Sequence, residues 1–105
     1  MPNDDPAEHE FGKVLGRYGP AVADACLESF AEFLTQHSKR KPFNSAHEGF
    51  AVLQEEVDEL WEEIKRKREN RDLAAMRTEA MQVAAMAMRF MAEICADAER
   101  EDPQS

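Results

Sequence analysis

Three glutamates stand where helical geometry could draw them together. Glu56 and Glu59 lie in the acidic run Glu55-Glu56-Val57-Asp58-Glu59, and Glu79 lies further on among Met76, Val83, Met86 and Phe90. At about 100° per residue, Glu56 and Glu59 share one flank of an apolar stripe centred on Val57, and Glu63 falls on the same flank. Glu79 sits at the edge of an apolar arc. A carboxylate there needs a partner or a cation, because burying a bare charge is costly. Two carboxylates from one helix and one from a facing helix form an oxygen-ligand metal site of the kind built in bundles. Such a set suits Mg²⁺ or Mn²⁺. Glu-x-x-His is absent, which disfavours a ferritin-like di-iron centre. Gln82, one turn after Glu79, carries an amide that could bind a ligand or a metal-bound water. Taken alone, an acidic pair three residues apart reads more readily as a solvated helix face than as a site.

The elements that must position these residues are legible in part. Gly19-Pro20 predicts a helix start, and Val22, Cys26, Phe30 and Phe33 then share one face until Pro42 ends the run. Ser45-Ala46-His47-Glu48 has the form of a capping box, predicting a second helix with Phe43 just ahead of it. Phe50, Leu53, Val57, Leu60, Trp61 and Ile64 give that helix its stripe. Asn70 to Asp72 is the expected break, with either residue able to cap a third helix from about Leu73 to Ala98. Ala and Met occur on nearly every side of that third helix, so it needs cover on more than one side.

The expected architecture is all-α: three helices per chain, the second and third forming a hairpin that pairs with a second chain into a four-helix bundle. Self-association as a homodimer or homotetramer follows from the apolar third helix. Residues 1–10 read as a flexible polar segment, 11–98 as one domain and 99–105 as a flexible tail.

Composition narrows the function. Thirteen basic against 22 acidic residues leave a net charge of −9, which argues against binding a nucleic acid polymer. At 43% apolar residues the chain can form a core. No apolar run is long enough for a membrane span, and no signal peptide is visible, so a cytoplasmic protein is expected. Cys26 and Cys95, far apart and in apolar stretches, read as reduced core residues.

Glu48 to Trp61, with its EExxEL core, followed by Glu79-Ala80-Met81-Gln82-Val83-Ala84-Ala85-Met86, resembles the MazG-like nucleotide pyrophosphohydrolases of the all-α NTP pyrophosphatase superfamily. The resemblance covers roughly residues 45–95. It implies ExxE on one helix, met here by Glu56 and Glu59, and ExxD on the next, begun here by Glu79. It also implies Mg²⁺-dependent hydrolysis of a (d)NTP or modified nucleotide to the monophosphate and pyrophosphate. The family's last acid falls at position 82, where this chain has Gln82. Glu48, Glu55 or Glu63 could restore the charge, the metal count could be lower, or the protein could bind nucleotide without hydrolysing it.

Phosphate partners would come from Lys39, Arg40 and Lys41 after the first helix, from Lys65, Arg66, Lys67 and Arg68 after the second, and from Arg89. Each also has a plainer role, as a dipole-complementing helix end or, for Arg89, as the i+4 partner of Glu93. Trp61 or the Phe30/Phe33 pair could stack on a base, although aromatics at helical spacing usually serve the core. His47 reads as a surface residue and His37 as a helix-end residue. The methionines of the third helix read as adaptable packing.

Overall fold

The computed structural model describes residues 6–96; Met1 to Asp5 and residues 97–105, including the expected polar tail, lie outside the described residues. Three α-helices follow one another: α1 Pro6–Lys39, α2 Ala46–Ile64 and α3 Leu73–Phe90. A 3-10 turn, Arg68–Asn70, precedes α3, and a π-helical turn, Met91–Cys95, continues it. Among the described residues there is no strand, and no helix is long and apolar enough to cross a membrane.

The helix boundaries follow local chemistry. Ser45 caps α2 by accepting a hydrogen bond from the Glu48 N–H at 3.1 Å. The return arm of the box is displaced by one residue: Glu48 accepts from the backbone N–H and the side-chain amide of Asn44. Asp72 caps α3, accepting from the N–H groups of Ala74 and Ala75. The start of α1 differs from expectation. Helix begins at Pro6 and runs through Gly12, Gly16, Gly19 and Pro20, so residues 6–10 are helical and Pro20 lies inside. Proline there removes one backbone donor without ending the helix, a tolerated exception to its usual role as a breaker.

The three helices form a layer with α3 in the middle. α2 lies antiparallel to α3, and Gly49 makes the crossing possible: a Cβ there would meet the Phe90 ring at 2.8 Å and the Phe43 ring at 3.0 Å. α1 lies parallel to α3, as its cross-links show. Glu28 pairs with Arg77, Glu32 accepts from Gln82 at 2.7 Å, and His37 bonds Glu93 at 3.0 Å. Because Glu28 already reaches the first turns of α3, the preceding half of α1 extends past the α3 N-terminus. Residues 7–24 are exposed throughout apart from half-buried Gly19. The radius of gyration is accordingly 17.7 Å, where a compact chain of this length has about 13 Å.

The core is small. Phe43, Ala85 and Met86 are buried, with Phe33, Val52, Leu53, Phe90 and Ile94 packed against them. The apolar α3 is covered from two sides, and residues 81–90 are all buried or half-buried. Cys26 and Cys95 do not join it. Both are exposed free thiols, because nothing covers α1 at Cys26 and the π-turn carries Cys95 to the surface.

Candidate metal centre

α2 is rotated about its axis relative to the expected orientation. Gly49, Val52, Leu53, Glu56, Leu60 and Glu63 turn toward α3, while Phe50, Val57 and Trp61 are left facing water. Glu56 therefore sits near the middle of the α2–α3 seam instead of on its flank. Glu79 comes from α3 on the opposite side of that seam, and Glu59 lies one turn after Glu56 at its edge.

The structure brings these three together. One carboxylate oxygen from each of Glu56, Glu59 and Glu79 lies within 4.8 Å of the others. Glu56 Oε2 and Glu79 Oε2 are buried and have no hydrogen-bond partner. Burial, then the neighbouring Glu59, Glu79 and Glu55, push the Glu56 carboxyl up to about 7. Glu79 is pushed up for the same reason, by burial and by Glu59 and Glu63. Mutual repulsion of this kind, with orphaned oxygens pointing inward, costs folding free energy that a divalent cation would relieve. Hard cations take such oxygen ligands at separations this small, so the donor set fits Mg²⁺ or Mn²⁺.

The other expected ligands are placed differently. Glu63 is half-buried beside Glu79 but engages Arg66 at 3.4 Å. Glu48 is held by Asn44, whose side-chain and backbone bonds lower its carboxyl below the ordinary value. Glu55 is exposed. Gln82 is committed elsewhere, since its amide donates to Glu32 of α1. Glu32 was not legible as a site neighbour, because nothing in the sequence sets the register of α1 against α3.

Beside Glu56 lies a cavity of about 480 Å³. Its walls carry Gln36, Arg40, Lys41 and Arg89 on one side and Glu48, Glu55 and Glu56 on the other. Of the expected phosphate partners, Arg40 and Arg89 reach this cavity, together with Lys41. Lys39 is exposed outside it, and Lys65 and Arg68 lie beyond the far end of α2, where Lys65 pairs with Glu62. Trp61 is 56% exposed on the outer face of α2 and does not line the cavity. Phe30 and Phe33 stack on each other at 6.2 Å, with only Phe33 against the core. His47 is exposed.

Arg89 is the fixed wall of the cavity. It is 2% exposed. Its guanidinium donates to both oxygens of Glu93, at 2.8 and 3.0 Å, and to the Lys41 carbonyl at 3.1 Å. It also lies over the Phe43 ring at 4.1 Å. Glu93 in turn accepts from the Phe43 N–H at 2.8 Å and bonds His37. Burial raises the Glu93 carboxyl, but the bonds from Arg89, His37 and Phe43 outweigh it and hold it down at about 2. The i+4 pairing of Arg89 with Glu93 is thus present, and it clamps the α1–α2 connection onto α3. His37 is part of that clamp, a role its position at a helix end did not reveal.

No family model, no curated protein and no solved structure matches this chain.

Proposed function

We propose that this chain is a divalent-cation-dependent pyrophosphohydrolase of the MazG-like kind, converting a (d)NTP or a modified nucleotide to the monophosphate and pyrophosphate. The observation that carries this reading is the pair of buried, unpartnered oxygens of Glu56 and Glu79 beside Glu59. Those three residues would hold Mg²⁺ or Mn²⁺, which when bound neutralises the triphosphate and orients water onto the α-phosphate. The chain's own cations do the rest of the binding. Arg40 and Lys41 offer donors to phosphate oxygens from the cavity wall, and Arg89 keeps that wall in place. Glu55 and Glu48 face them across the cavity. They repel an anion that arrives without its cation.

The reading includes a cytoplasmic protein that binds no nucleic acid polymer and self-associates as a homodimer or homotetramer. The outer stripe of α2, Phe50, Val57 and Trp61, supports pairing of the α2–α3 hairpin with a second chain into a four-helix bundle.

The test is pyrophosphate release from a mixed (d)NTP panel with Mg²⁺ and with Mn²⁺. Release is expected, with a loss of roughly 100-fold or more in Glu56→Gln and in Glu79→Gln. No release from any nucleotide sinks the enzymatic reading. A second reading, a non-catalytic helical dimer that binds a nucleotide or a protein partner, is favoured by the Gln82–Glu32 bond, which occupies the position of the family's last acid. Gln82→Asp separates the two: an enzyme already active changes its rate in either direction, whereas a chain that has lost catalysis gains pyrophosphate release only in the variant.

A further inference from the structure

The half of α1 that overshoots α3 is not a plain polar spacer. Phe11, Val14, Leu15, Tyr18 and Val22 fall within an arc of about 100° on one face. They are 68%, 54%, 56%, 49% and 55% exposed. The same arc, continued along the helix, contains Ser29 and Phe33, through which the other half of α1 packs against α3. One continuous face therefore runs the length of α1, and the described residues cover only its C-terminal half. The charged residues Glu10, Lys13, Arg17 and Asp24 lie on the opposite side. Gly12, Gly16, Gly19 and Ala23 line one flank of the apolar arc. Glycine in a helix interior weakens it. Yet a Cβ at Gly12 or Gly16 would meet nothing within 4 Å, so nothing in the described residues requires these positions to be small.

We propose that this segment pairs antiparallel with the same segment of a second copy of the chain, about a two-fold axis between Gly16 and Arg17. Such an interface must be its own complement, and this face is. Reversal about that axis sets Phe11 level with Val22 and Leu15 level with Tyr18, all within about 30° of the centre of the face. The five residues leave roughly 600 Å² of mostly apolar surface in water per copy, so pairing buries at most about 1,200 Å² in all, the lower end of stable interfaces. Each copy carries a net charge of −9. The pairing is therefore concentration-dependent and strengthens with added salt, which screens the repulsion. It is independent of the metal centre and adds to any contact made by the outer stripe of α2.

Sedimentation of the full chain across micromolar to millimolar concentration tests this. The expected mass at high concentration is at least twice 11.9 kDa. The Leu15→Glu, Tyr18→Glu double variant should halve the assembled mass while the core stays folded. A wild-type monomer throughout, or a variant of unchanged mass, overturns the proposal. Register is read by cross-linking in a Cys26→Ser, Cys95→Ser background. Phe11→Cys combined with Val22→Cys should close an oxidised dimer, and Phe11→Cys alone should not, because its two copies lie roughly 16 Å apart along the helix axes. Cross-linking by the single variant indicates parallel pairing and refutes the two-fold arrangement.

Discussion

At Glu56, stability and function pull in opposite directions. A carboxylate set among other carboxylates is a poor choice for folding, and its removal should show it. Without divalent cation, in EDTA, Glu56→Gln is expected to be more stable than the wild type by about 1–2 kcal/mol, read from thermal or urea unfolding. The same variant should lose pyrophosphate release. If it is instead less stable, the Glu56 carboxylate stabilises the fold and its oxygen is not unpartnered. The pH dependence carries the same sign. The folded Glu56 carboxyl keeps its proton up to about 7, against an ordinary value near 4.5. Its contribution to stability is therefore whole below pH 4.5 and gone once pH has passed 7. Glu79 moves in the same direction. Glu93 is the reverse: held down at about 2, it contributes above pH 4.5 and fails only in strong acid. The cation-free protein should thus melt at a higher temperature at pH 5 than at pH 7.5, and millimolar Mg²⁺ should narrow that difference by stabilising the charged forms. A cation-free melting temperature that rises from pH 5 to 7.5 would contradict the assigned repulsion.

At the scale of the elements, the sequence marks ends better than faces. The Ser45 and Asp72 caps are local, and both stand where their residue types predict. The convergence of Glu56 and Glu59 with Glu79 was legible too, because helical spacing and a short connection bring them to one seam. The rotation of α2 was not. Half of its apolar stripe, Phe50, Val57 and Trp61, faces water, because the close approach at Gly49 sets which side meets α3. Steric fit at one glycine outweighs a hydrophobic pattern read without a partner. Gly49→Ala tests this directly. Its Cβ would overlap two aromatic rings, one buried and one packed against the core, so a loss of about 1–3 kcal/mol is expected from overpacking. An unchanged melting temperature would mean that Phe90 and Phe43 yield freely. The reach of α1 back to Pro6 was hidden for a different reason: Gly19-Pro20 is a local stop signal, and local signals say nothing of a face that continues on both sides of it.

Across the whole molecule, few buried side chains hold three long helices, and the Arg89–Glu93 pair bears much of the burden of joining them. It ties α3 to the α1–α2 connection through Lys41, Phe43 and His37. Removing one member strands the other. Arg89→Leu is expected to destabilise by about 3–5 kcal/mol at pH 7, because Glu93 is left buried without its guanidinium, holding only the His37 and Phe43 N–H bonds, and Arg89→Leu with Glu93→Leu should recover much of the loss. Equal losses in the single and double variants would show that packing, not charge pairing, is what matters there. α1 and α3 run parallel, so the macrodipoles of two helices point the same way and their negative ends emerge together at the cavity lined by Arg40, Lys41 and Arg89. α2 brings a single positive end to the same place. Arg89 is already matched by Glu93, so Arg40 and Lys41 face that surplus of backbone carbonyl charge before any phosphate arrives. The cavity's pull on a free anion is weaker than its basic residues suggest, and a phosphate is drawn in most strongly when it arrives with a divalent cation.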